Sequence, residues 1–312
     1  MRVFISGSEL GFGFVVGRRL LAEGHKVAIL TSFEDLIPNL TKNKLNPVLG
    51  DVRDAEVQRE VAKADAVIDV DTPFTFPRKR VHVSRLRPSL LRSALKGSGK
   101  PLIVTSHAAI LGDTGAAPLC EDARLRPLPG FAWLPRFEKE ILNSRGVRGV
   151  VIRPAWLKHG SKPSSLLLST GAWIKLARRF RRGKFVHTGE NCWSAVHVDD
   201  LADLYCVALE KATAGTILHA VSENISTQEL VATIHRGYGF KGEPSGISLT
   251  DARRTIPSAE RFTYSHALSG DRARALGWIP ARESVLQEVE RIARDAALVS
   301  RLRLPRTECK EK

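Results

Sequence analysis

Short apolar segments alternate with amphipathic ones along the first half of the chain. Residues 2–6 and 26–31 have the apolar character of strands that are buried in a parallel sheet. Between them, Phe12, Val16 and Leu20 recur at helical spacing and form one apolar stripe. The start of the chain therefore predicts a compact strand, helix and strand unit.

The same alternation continues to about residue 154. Further strands are predicted at 47–52, 66–70, 102–106 and 149–153, and helices at about 55–64, 89–96 and 137–144. Strands that alternate with helices at this spacing predict an α/β fold with a doubly wound parallel sheet. Ligands of such sheets bind beyond the carboxyl ends of the strands, where this chain has Gly7, Asp51, Asp71, Ser106 and Pro154.

A glycine-rich turn links the first strand to the first helix. Gly7, Gly11 and Gly13 stand where small residues let a pyrophosphate approach the backbone and the free N–H groups of a helix N terminus. A dinucleotide site is therefore predicted at this turn. Thr31 and Ser32 follow the second strand, where NAD-preferring proteins commonly carry an acid, and their hydroxyls slightly favour NADP(H) over NAD(H).

Composition and charge narrow the class of protein. The chain has 312 residues, of which 43% are hydrophobic and 26% are charged, as is ordinary for a globular protein. Its net charge is +15, with dense basic blocks at 175–184 and 301–312. Neither block lies in a nucleic-acid-binding motif, so the first interpretation is a solvated basic face. Attraction of an anionic substrate is the next alternative and nucleic acid the last.

The cysteines indicate a reducing compartment. The four of them, Cys120, Cys192, Cys206 and Cys309, are scattered without a C-x-x-C pair or zinc spacing, so no metal site is predicted. The first strand follows Met1 at once, and no apolar run approaches the roughly 20 residues of a membrane helix. We therefore expect a cytoplasmic protein that does not contact a membrane.

Several ordered segments carry a resemblance to one superfamily. They are MRVFISGSELGFGFVVGRRLLAEGHKVAIL at the start, GDVRD at 50–54, DAVIDV at 65–70, IVTSHAAILGD at 103–113, GVRGVVIRPAWLKHG at 146–160, WSAVHVDDLADLYCVALE at 193–210 and LGWIP at 276–280. Together they resemble the short-chain dehydrogenase/reductase superfamily, and more closely its extended or atypical branch near the NAD-dependent epimerases and dehydratases. The resemblance implies a Rossmann fold, a nicotinamide dinucleotide, a small-molecule substrate and the homodimer that is common among extended members.

The resemblance also divides the chain. It implies a Rossmann dinucleotide-binding domain at 1–160, a lid or substrate segment at 161–193, a helix and strand returning to the Rossmann sheet at 194–222, a smaller, variable C-terminal substrate-binding region at 223–304 and a disordered tail at 305–312. A helix is predicted at 165–180, and no secondary structure is assigned to 241–261. Asp199 and Asp200 are expected to cap the helix that they begin rather than to bind a metal.

Carried over position by position, the resemblance implies a cofactor site. The glycines would lie under the pyrophosphate, Asp51 and Val52 against the adenine, and Val70 beside the ribose and nicotinamide. The full predicted set is Gly7, Gly11, Phe12, Gly13, Thr31, Ser32, Asp51, Val52 and Val70. Asp69 and Asp71 stand where relatives have neutral or small residues, and two ionised carboxylates close to an anionic cofactor would be unfavourable.

The chain departs from the superfamily at the catalytic motif. Members use a Tyr-x-x-x-Lys pair with a serine from the end of the fifth strand, and the lysine lowers the tyrosine pKa. Here the motif would fall near residue 130, but the tyrosines are Tyr205, Tyr238 and Tyr264. Ser106 and His159 are the remaining candidate catalytic residues, and the candidate substrate-binding residues are His107, Phe131, Trp133, Arg136, Trp156 and Trp173.

Three functions remain open at this point. The first is an NAD(P)-dependent oxidoreductase or epimerase of a small organic molecule, in which Ser106 polarises a carbonyl and His159, water or the substrate supplies the proton. The second is a non-redox isomerase, dehydratase or cyclase in which the dinucleotide is vestigial or structural, so that no cofactor is functional. The third is an NADPH-sensing regulator. The glycine turn favours the first function, and the missing tyrosine favours the second.

Overall fold

The computed structural model describes residues 1–7, 11–70, 81–160, 170–256 and 259–302, excluding the side chains of 81–85 and 299–302. Its strands are β1 (Arg2–Ser6), β2 (Lys26–Thr31), β3 (Asn46–Leu49), β4 (Ala66–Asp69), β5 (Pro101–Thr105), β6 (Arg148–Pro154), β7 (Leu157–His159), β8 (Lys184–Val186), β9 (Cys192–His197), β10 (Thr216–Ala220), β11 (Glu223–Ser226) and β12 (Ser245–Ile247). Its helices are α1 (Phe12–Ala22), α2 (Ile37–Lys42), α3 (Ala55–Lys63), α4 (Val81–Ala94), α5 (Leu134–Leu142), α6 (Gly171–Phe180), α7 (Val198–Lys211), α8 (Thr227–Tyr238), α9 (Leu249–Arg253), α10 (Asp271–Ala275) and α11 (Val285–Leu302).

A seven-stranded parallel sheet forms the centre of the molecule. The strand order is β10-β6-β5-β4-β1-β2-β3, which confirms the predicted doubly wound, Rossmann-like α/β fold. Every residue of β4 and β5 is buried, because helices cover both faces of the sheet. The reversal of strand order between β1 and β4 makes the crevice at which ligands of such sheets bind.

The C-terminal region has its own small sheets and its own core. β9 pairs with β7 in parallel and with β11 in antiparallel, while β8 pairs with β12. A second apolar cluster includes Trp173, Trp193 and Phe262, and Trp156 packs against both this cluster and the core of the main sheet. The two parts of the molecule therefore share an apolar boundary.

The region after residue 194 returns to the main sheet. β10 pairs with β6 in parallel, and Arg19 of α1 forms an ion pair with Asp203 of α7. His197, rather than an aspartate, is the N-cap of α7, because its Nδ1 accepts the amide of Asp199. Asp200 is buried and accepts the amides of Ala281 and Arg282, so it holds the segment that follows Trp278.

Several predicted boundaries are wrong. α4 begins at Val81, whereas the helix was predicted from residue 89, and β3 ends at Leu49 rather than at residue 52. The unassigned range 241–261 contains β12 and α9. The predicted helix at 165–180 is described only from residue 170, and Asp71 and the tail after residue 302 lie outside the described residues. No helix in the described parts of the chain is long and apolar enough to span a membrane.

Candidate active site

The glycine turn after β1 has the backbone geometry of an anion site. Gly7 and Gly11 have φ values of 93° and 77°, a left-handed conformation that glycine adopts without strain. Among the described residues, no side chain caps the N terminus of α1, and the first turn of this helix contains no acidic residue. A Cβ atom on Gly11 would meet no described atom within 4 Å. These features fit a pyrophosphate bound to the N terminus of α1, whose first residues are Phe12 and the buried Gly13.

The carboxylate of Asp69 is neutralised within the protein. Its Oδ1 accepts a 2.8 Å hydrogen bond from the Ser6 hydroxyl, and Nη1 of Arg87 lies 3.4 Å from the same oxygen. Asp69 and Arg87 are both largely buried, so the ion pair is shielded from water. The unfavourable charge that Asp69 could bring to an anionic cofactor is therefore balanced by α4.

The residues predicted to hold the adenosine half of a cofactor line the ends of β2, β3 and β4. Thr31 is buried and its hydroxyl accepts the amide of Phe33, whereas Ser32 is exposed. A hydrogen bond from Arg53 lowers the pKa of Asp51, so this carboxylate is anionic and already paired. Val52 and Val70 are buried, and the Val70 amide donates to the carbonyl of Ser6.

Ser106 lies directly after β5 and is completely buried. Its amide donates to the carbonyl of Ile152 on β6, which fixes the residue at the carboxyl edge of the sheet. Among the residues that the structure describes, none forms a hydrogen bond with its Oγ. A buried hydroxyl without a partner is unfavourable by about 1–3 kcal/mol, so this atom is available to a ligand.

An aromatic cluster borders the residues after β5 and β6. The ring of His107 lies 4.8 Å from Phe131 and 4.6 Å from Trp156, and Trp156 stacks on His266 at 4.2 Å. Burial lowers the pKa of His266 to about 4, and burial also lowers the pKa of His107 well below its ordinary range. Both imidazoles are therefore neutral at physiological pH and contribute polar atoms without charge.

Lys158 supplies a titratable group on the side of β7 where Trp156 lies. Trp156 and Lys158 alternate with Leu157, and the charge of Lys158 contributes to lowering the pKa of His107. Burial lowers the pKa of Lys158 to about 8, because desolvation disfavours the ammonium form. Nζ of Lys158 lies 3.4 Å from the carbonyl of Ala155. An amine in this state can hold or release a proton near neutral pH.

His159 occupies the opposite face of β7. It is fully buried, and its Nδ1 lies 2.8 Å from Oε2 of Glu288 in α11. Its ring also lies 5.1 Å from the ring of His197. The structure thus places His159 between β7 and the last helix, while Lys158 is the neighbour that approaches His107.

The remaining predicted substrate residues are not brought together. Trp173 is buried in the second core against Trp193 and Phe262. Arg136 is exposed on α5 and pairs with Glu140 one turn later. Trp133 is half-buried at the start of α5, where its ring lies 5.5 Å from Phe137. Of the predicted substrate-binding set, only His107, Phe131 and Trp156 form one cluster.

Two of the three tyrosines are committed to other contacts, and the third borders the aromatic cluster. Tyr205 is fully buried, its hydroxyl lies 2.5 Å from Oγ1 of Thr105, and burial raises its pKa far above neutral. Tyr238 stacks on Phe240 in the C-terminal region. Tyr264 is half-buried, with its ring 6.4 Å from His266 at the border of the aromatic cluster.

Two residues of this region were not among the predicted site residues. Lys158 gave a usable signal, because alternation along a short strand places it on the face of Trp156. His266 gave none, since it reaches Trp156 through a bridge between residues 193 and 266 that no local pattern predicts.

Comparison with known proteins finds two similar sequences from yeasts and several solved structures of the same fold. No protein-family model matches the chain. It is similar to the uncharacterized protein C2A9.02 of Schizosaccharomyces pombe, with 28% identity over 93% of this chain and 98% of the relative. A second similar protein is the uncharacterized protein YLL056C of Saccharomyces cerevisiae, with 25% identity over 93% of this chain and 98% of that protein.

Solved structures agree with the fold at low sequence identity. The UDP-glucose 4-epimerase of Thermotoga maritima, solved with UDP-glucose, has a TM-score of 0.73 at 16% identity, and the match covers 97% of this chain and 100% of that chain. The dTDP-glucose 4,6-dehydratase DesIV of Streptomyces venezuelae, solved with NAD and TYD, has a TM-score of 0.70 at 18% identity, covering 94% and 96%. These likenesses confirm the predicted epimerase/dehydratase-like resemblance at the level of the fold.

Proposed function

We propose that the protein is an NAD-dependent enzyme that acts on a small organic molecule as an oxidoreductase or epimerase. The observation that carries this proposal is Ser106 Oγ, which is fully buried beyond β5 and has no hydrogen-bond partner among the described residues. The N terminus of α1, which no described side chain caps, supports it, because such a terminus fits the pyrophosphate of a dinucleotide. A bound nicotinamide supplies a hydride acceptor or donor.

In this proposal Ser106 binds and orients the reacting oxygen of the substrate. Its hydroxyl donates to a carbonyl or accepts from an alcohol, and either contact satisfies the orphaned Oγ. Phe131 and Trp156 exclude water from that side, while the neutral His107 adds no competing charge. The serine therefore takes the positioning role that the resemblance implies for it.

Lys158 is the group that we propose for proton transfer in place of the missing tyrosine. Its pKa of about 8 lets Nζ exist in both protonation states near neutral pH, which general acid–base catalysis requires. His159, the residue that the sequence favoured, lies on the other face of β7 with Nδ1 paired to Glu288. A cationic Lys158 and the net charge of +15 also favour an anionic substrate.

NAD(H) is the proposed cofactor, and the predicted preference for NADP(H) is not supported. The Thr31 hydroxyl that suggested NADP(H) accepts the Phe33 amide instead, and the DesIV structure holds NAD. The chain offers exposed Glu34 and Asp35 just beyond β2, and acidic residues in this region favour a free ribose hydroxyl over a phosphate.

A fluorescence titration of dialysed protein with NADH and with NADPH tests the cofactor. We expect NADH to bind at least about tenfold more tightly than NADPH, since a 2′-phosphate near acidic residues is worth at least about 1.4 kcal/mol of repulsion. Millimolar or absent binding of both nucleotides contradicts the proposal.

Turnover assays with nucleotide sugars and small ketones, followed by NADH fluorescence, test the proposed roles of Ser106 and Lys158. Ser106→Ala and Lys158→Met are expected to lower kcat by about 100-fold or more while NADH affinity stays the same. Arg136→Met serves as the matched control, because that cation is exposed on α5. If both site variants keep full rate, the assignment of these residues is wrong.

The non-redox alternative has one observation in its favour. Tyr205 is committed to Thr105 and Tyr238 stacks on Phe240, so neither supports a proton relay with Ser106. An isomerase, dehydratase or cyclase would keep the dinucleotide as a structural group. Single-turnover experiments distinguish the two. This alternative would be favoured if NADH binds tightly and substrate is turned over, but the redox state of the nucleotide does not change at any stage.

A further inference from the structure

Three titratable side chains meet in the interior on the face of β7 opposite Lys158. His159 lies on β7, His197 caps the start of α7, and Glu288 lies in α11. Each offers one ligand atom, and these atoms all lie within 4.8 Å of one another. The three residues are at most 3% exposed. Buried titratable groups this close together need charge compensation.

Hydrogen bonding inside the cluster leaves two buried atoms unsatisfied. His159 Nδ1 and Glu288 Oε2 pair at 2.8 Å. Within the described part of the chain, neither Nε2 of His159 nor Oε1 of Glu288 has a hydrogen-bond partner. The guanidinium of Arg291 lies 4.0 Å from that oxygen, too far for a hydrogen bond. A metal ion in place of the proton between Nδ1 and Oε2 would bind both residues and compensate the buried carboxylate.

A carboxylate lies near the second imidazole without a hydrogen bond to it. Nδ1 of His197 accepts the Asp199 amide at 3.1 Å, and Oδ2 of Asp199 lies 3.8 Å from the same nitrogen. When Nε2 of His197 binds a cation, the ring proton must move to Nδ1, where the Asp199 carboxylate can accept it in place of the amide contact. Metal-binding histidines usually donate their second N–H to a carboxylate in this way. A Cβ atom on Gly160 would lie 3.5 Å from Nε2 of His197, so the glycine keeps that side free of a side chain.

The arrangement of the two rings fits a shared ion. Their centroids are 5.1 Å apart and their planes are nearly perpendicular, at 88°. Two imidazoles on one tetrahedral zinc ion, with Zn–N distances of about 2.0–2.1 Å, place their ring centres about 5 Å apart. Two nitrogens and one carboxylate are also a donor set that suits divalent transition metals better than it suits calcium or magnesium.

We propose that His159, His197 and Glu288 form a buried binding site for a divalent transition-metal ion of the zinc type. The site joins β7 and α7 to α11, elements that sequence separates widely: His159 and Glu288 are 129 residues apart. That separation explains why residue spacing predicted no metal. Since the three ligands are buried and lie across β7 from Lys158, the ion stabilises the joint between the main sheet and the last helix.

Elemental analysis of the untagged full-length protein, purified without chelator, is the first test. We expect about one zinc or similar ion per chain, because structural zinc binds through three or four such ligands. His159→Asn, His197→Asn and Glu288→Gln should each lose stoichiometric metal. Asparagine at 197 retains a good N-cap for α7, which separates loss of the ligand from loss of the helix cap. His187→Asn is the matched control, since this histidine is exposed.

Zinc titration of chelator-treated protein, followed by thermal unfolding, is the second test. A saturating excess should raise the Tm of the wild type by about 5 °C and leave the ligand variants unchanged. Asp199→Asn should bind about 10-fold to 100-fold more weakly than the wild type, because it loses the carboxylate behind His197. Cobalt substitution should give the absorption of a tetrahedral ion.

Two results would overturn the inference. The first is wild-type protein that carries no metal and whose Tm does not respond to zinc, which would leave a hydrogen-bonded His159–Glu288 pair and nothing more. The second is metal binding that His187→Asn abolishes and His159→Asn does not. Neither readout depends on nucleotide binding or turnover.

Discussion

At the scale of single residues, burial determines the proposed chemistry more than residue type does. Lys158 and His107 are ordinary bases in water, but burial shifts the pKa of each downwards. The lysine becomes able to exchange a proton near neutral pH, and the histidine stays neutral. Ser106 becomes available to bind a ligand because its hydroxyl has no hydrogen-bond partner in the described structure. Each property has a consequence for stability that can be measured without a substrate.

The lowered pKa of Lys158 predicts a pH-dependent stability. Its pKa falls from an ordinary 10.5 to about 8 on folding, so between these values the unfolded state binds more protons than the folded state. The free energy of unfolding should therefore rise from about pH 8 to pH 10.5, and the burial penalty should be fully present below about pH 8. Lys158→Met should be more stable than the wild type by about 1–2 kcal/mol at neutral pH.

Urea unfolding at about pH 7 and about pH 10 measures this difference, with Lys100→Met as the control. Lys100 is only partly buried and its Nζ donates to the carbonyl of Ala62, so Lys100→Met removes a lysine outside the aromatic cluster. A Lys158→Met advantage that is the same at both pH values would contradict a lowered pKa.

Removing the hydroxyl of Thr105, the last residue of β5, and that of Ser106, which follows it, should have opposite effects on stability. Ser106→Ala should leave the free energy of unfolding unchanged or raise it by up to about 1 kcal/mol, because the serine hydroxyl is buried without a partner. Thr105→Val should lower it by about 1–3 kcal/mol, because Oγ1 of Thr105 donates to the Asp69 carbonyl and contacts the Tyr205 hydroxyl. Chemical denaturation of the two variants, without ligand, decides the point. A larger loss for Ser106→Ala would mean that this hydroxyl is satisfied in the protein.

At the scale of elements, a buried ion pair fixes α5 to the sheet. Arg153 of β6 donates from Nε and Nη2 to the two carboxylate oxygens of Glu138, at 2.9 and 2.6 Å. Arg153 also donates to the carbonyl of Glu121 and meets His219 of β10. α5 is the helix that the resemblance associates with the missing tyrosine and lysine. The helix keeps its position through Glu138 although those two side chains are absent.

Removing one partner of this pair should be strongly destabilising. Arg153→Met leaves the Glu138 carboxylate buried and unpaired, and we expect a loss of about 3–5 kcal/mol in the free energy of unfolding. Arg136→Met is the control on the same helix, since the Arg136–Glu140 pair is exposed and should contribute less than about 0.5 kcal/mol. Urea denaturation of both variants measures the contrast. Equal losses would show that the buried pair does not fix α5.

At the scale of the whole molecule, the sheet could be predicted from the sequence and the site only in part. Buried parallel strands such as β4 and β5 are short apolar runs, so their positions in the chain follow from the sequence pattern. Ser106, His107 and Trp156 of the candidate site could be proposed because strand ends of a parallel sheet share one edge. His266 and the His159–Glu288 pair could not, because they come together through contacts distant in sequence.

The shared boundary between the two cores predicts cooperative unfolding. Trp156 packs against both apolar clusters, and Asp200 of α7 binds the chain at Ala281 and Arg282. The part of the tryptophan fluorescence that Trp173→Phe removes reports on the C-terminal cluster, which holds Trp173 and Trp193, while far-ultraviolet circular dichroism reports on the whole fold. The two signals should give coincident thermal transitions. A fluorescence transition that precedes the loss of helix would show that the C-terminal region unfolds by itself.

The position of β10 limits how this chain can be cut or recombined. Thr216–Ala220 pair in register with Val150–Pro154, so the outermost strand of the sheet comes from beyond the segment at 161–215. A fragment that stops at residue 160 would leave β6 as an unprotected edge, open to pairing with other chains. A chimera that borrows the nucleotide-binding half would therefore have to carry the chain through Ala220, and a soluble fragment or a swap of specificity should be designed from that boundary.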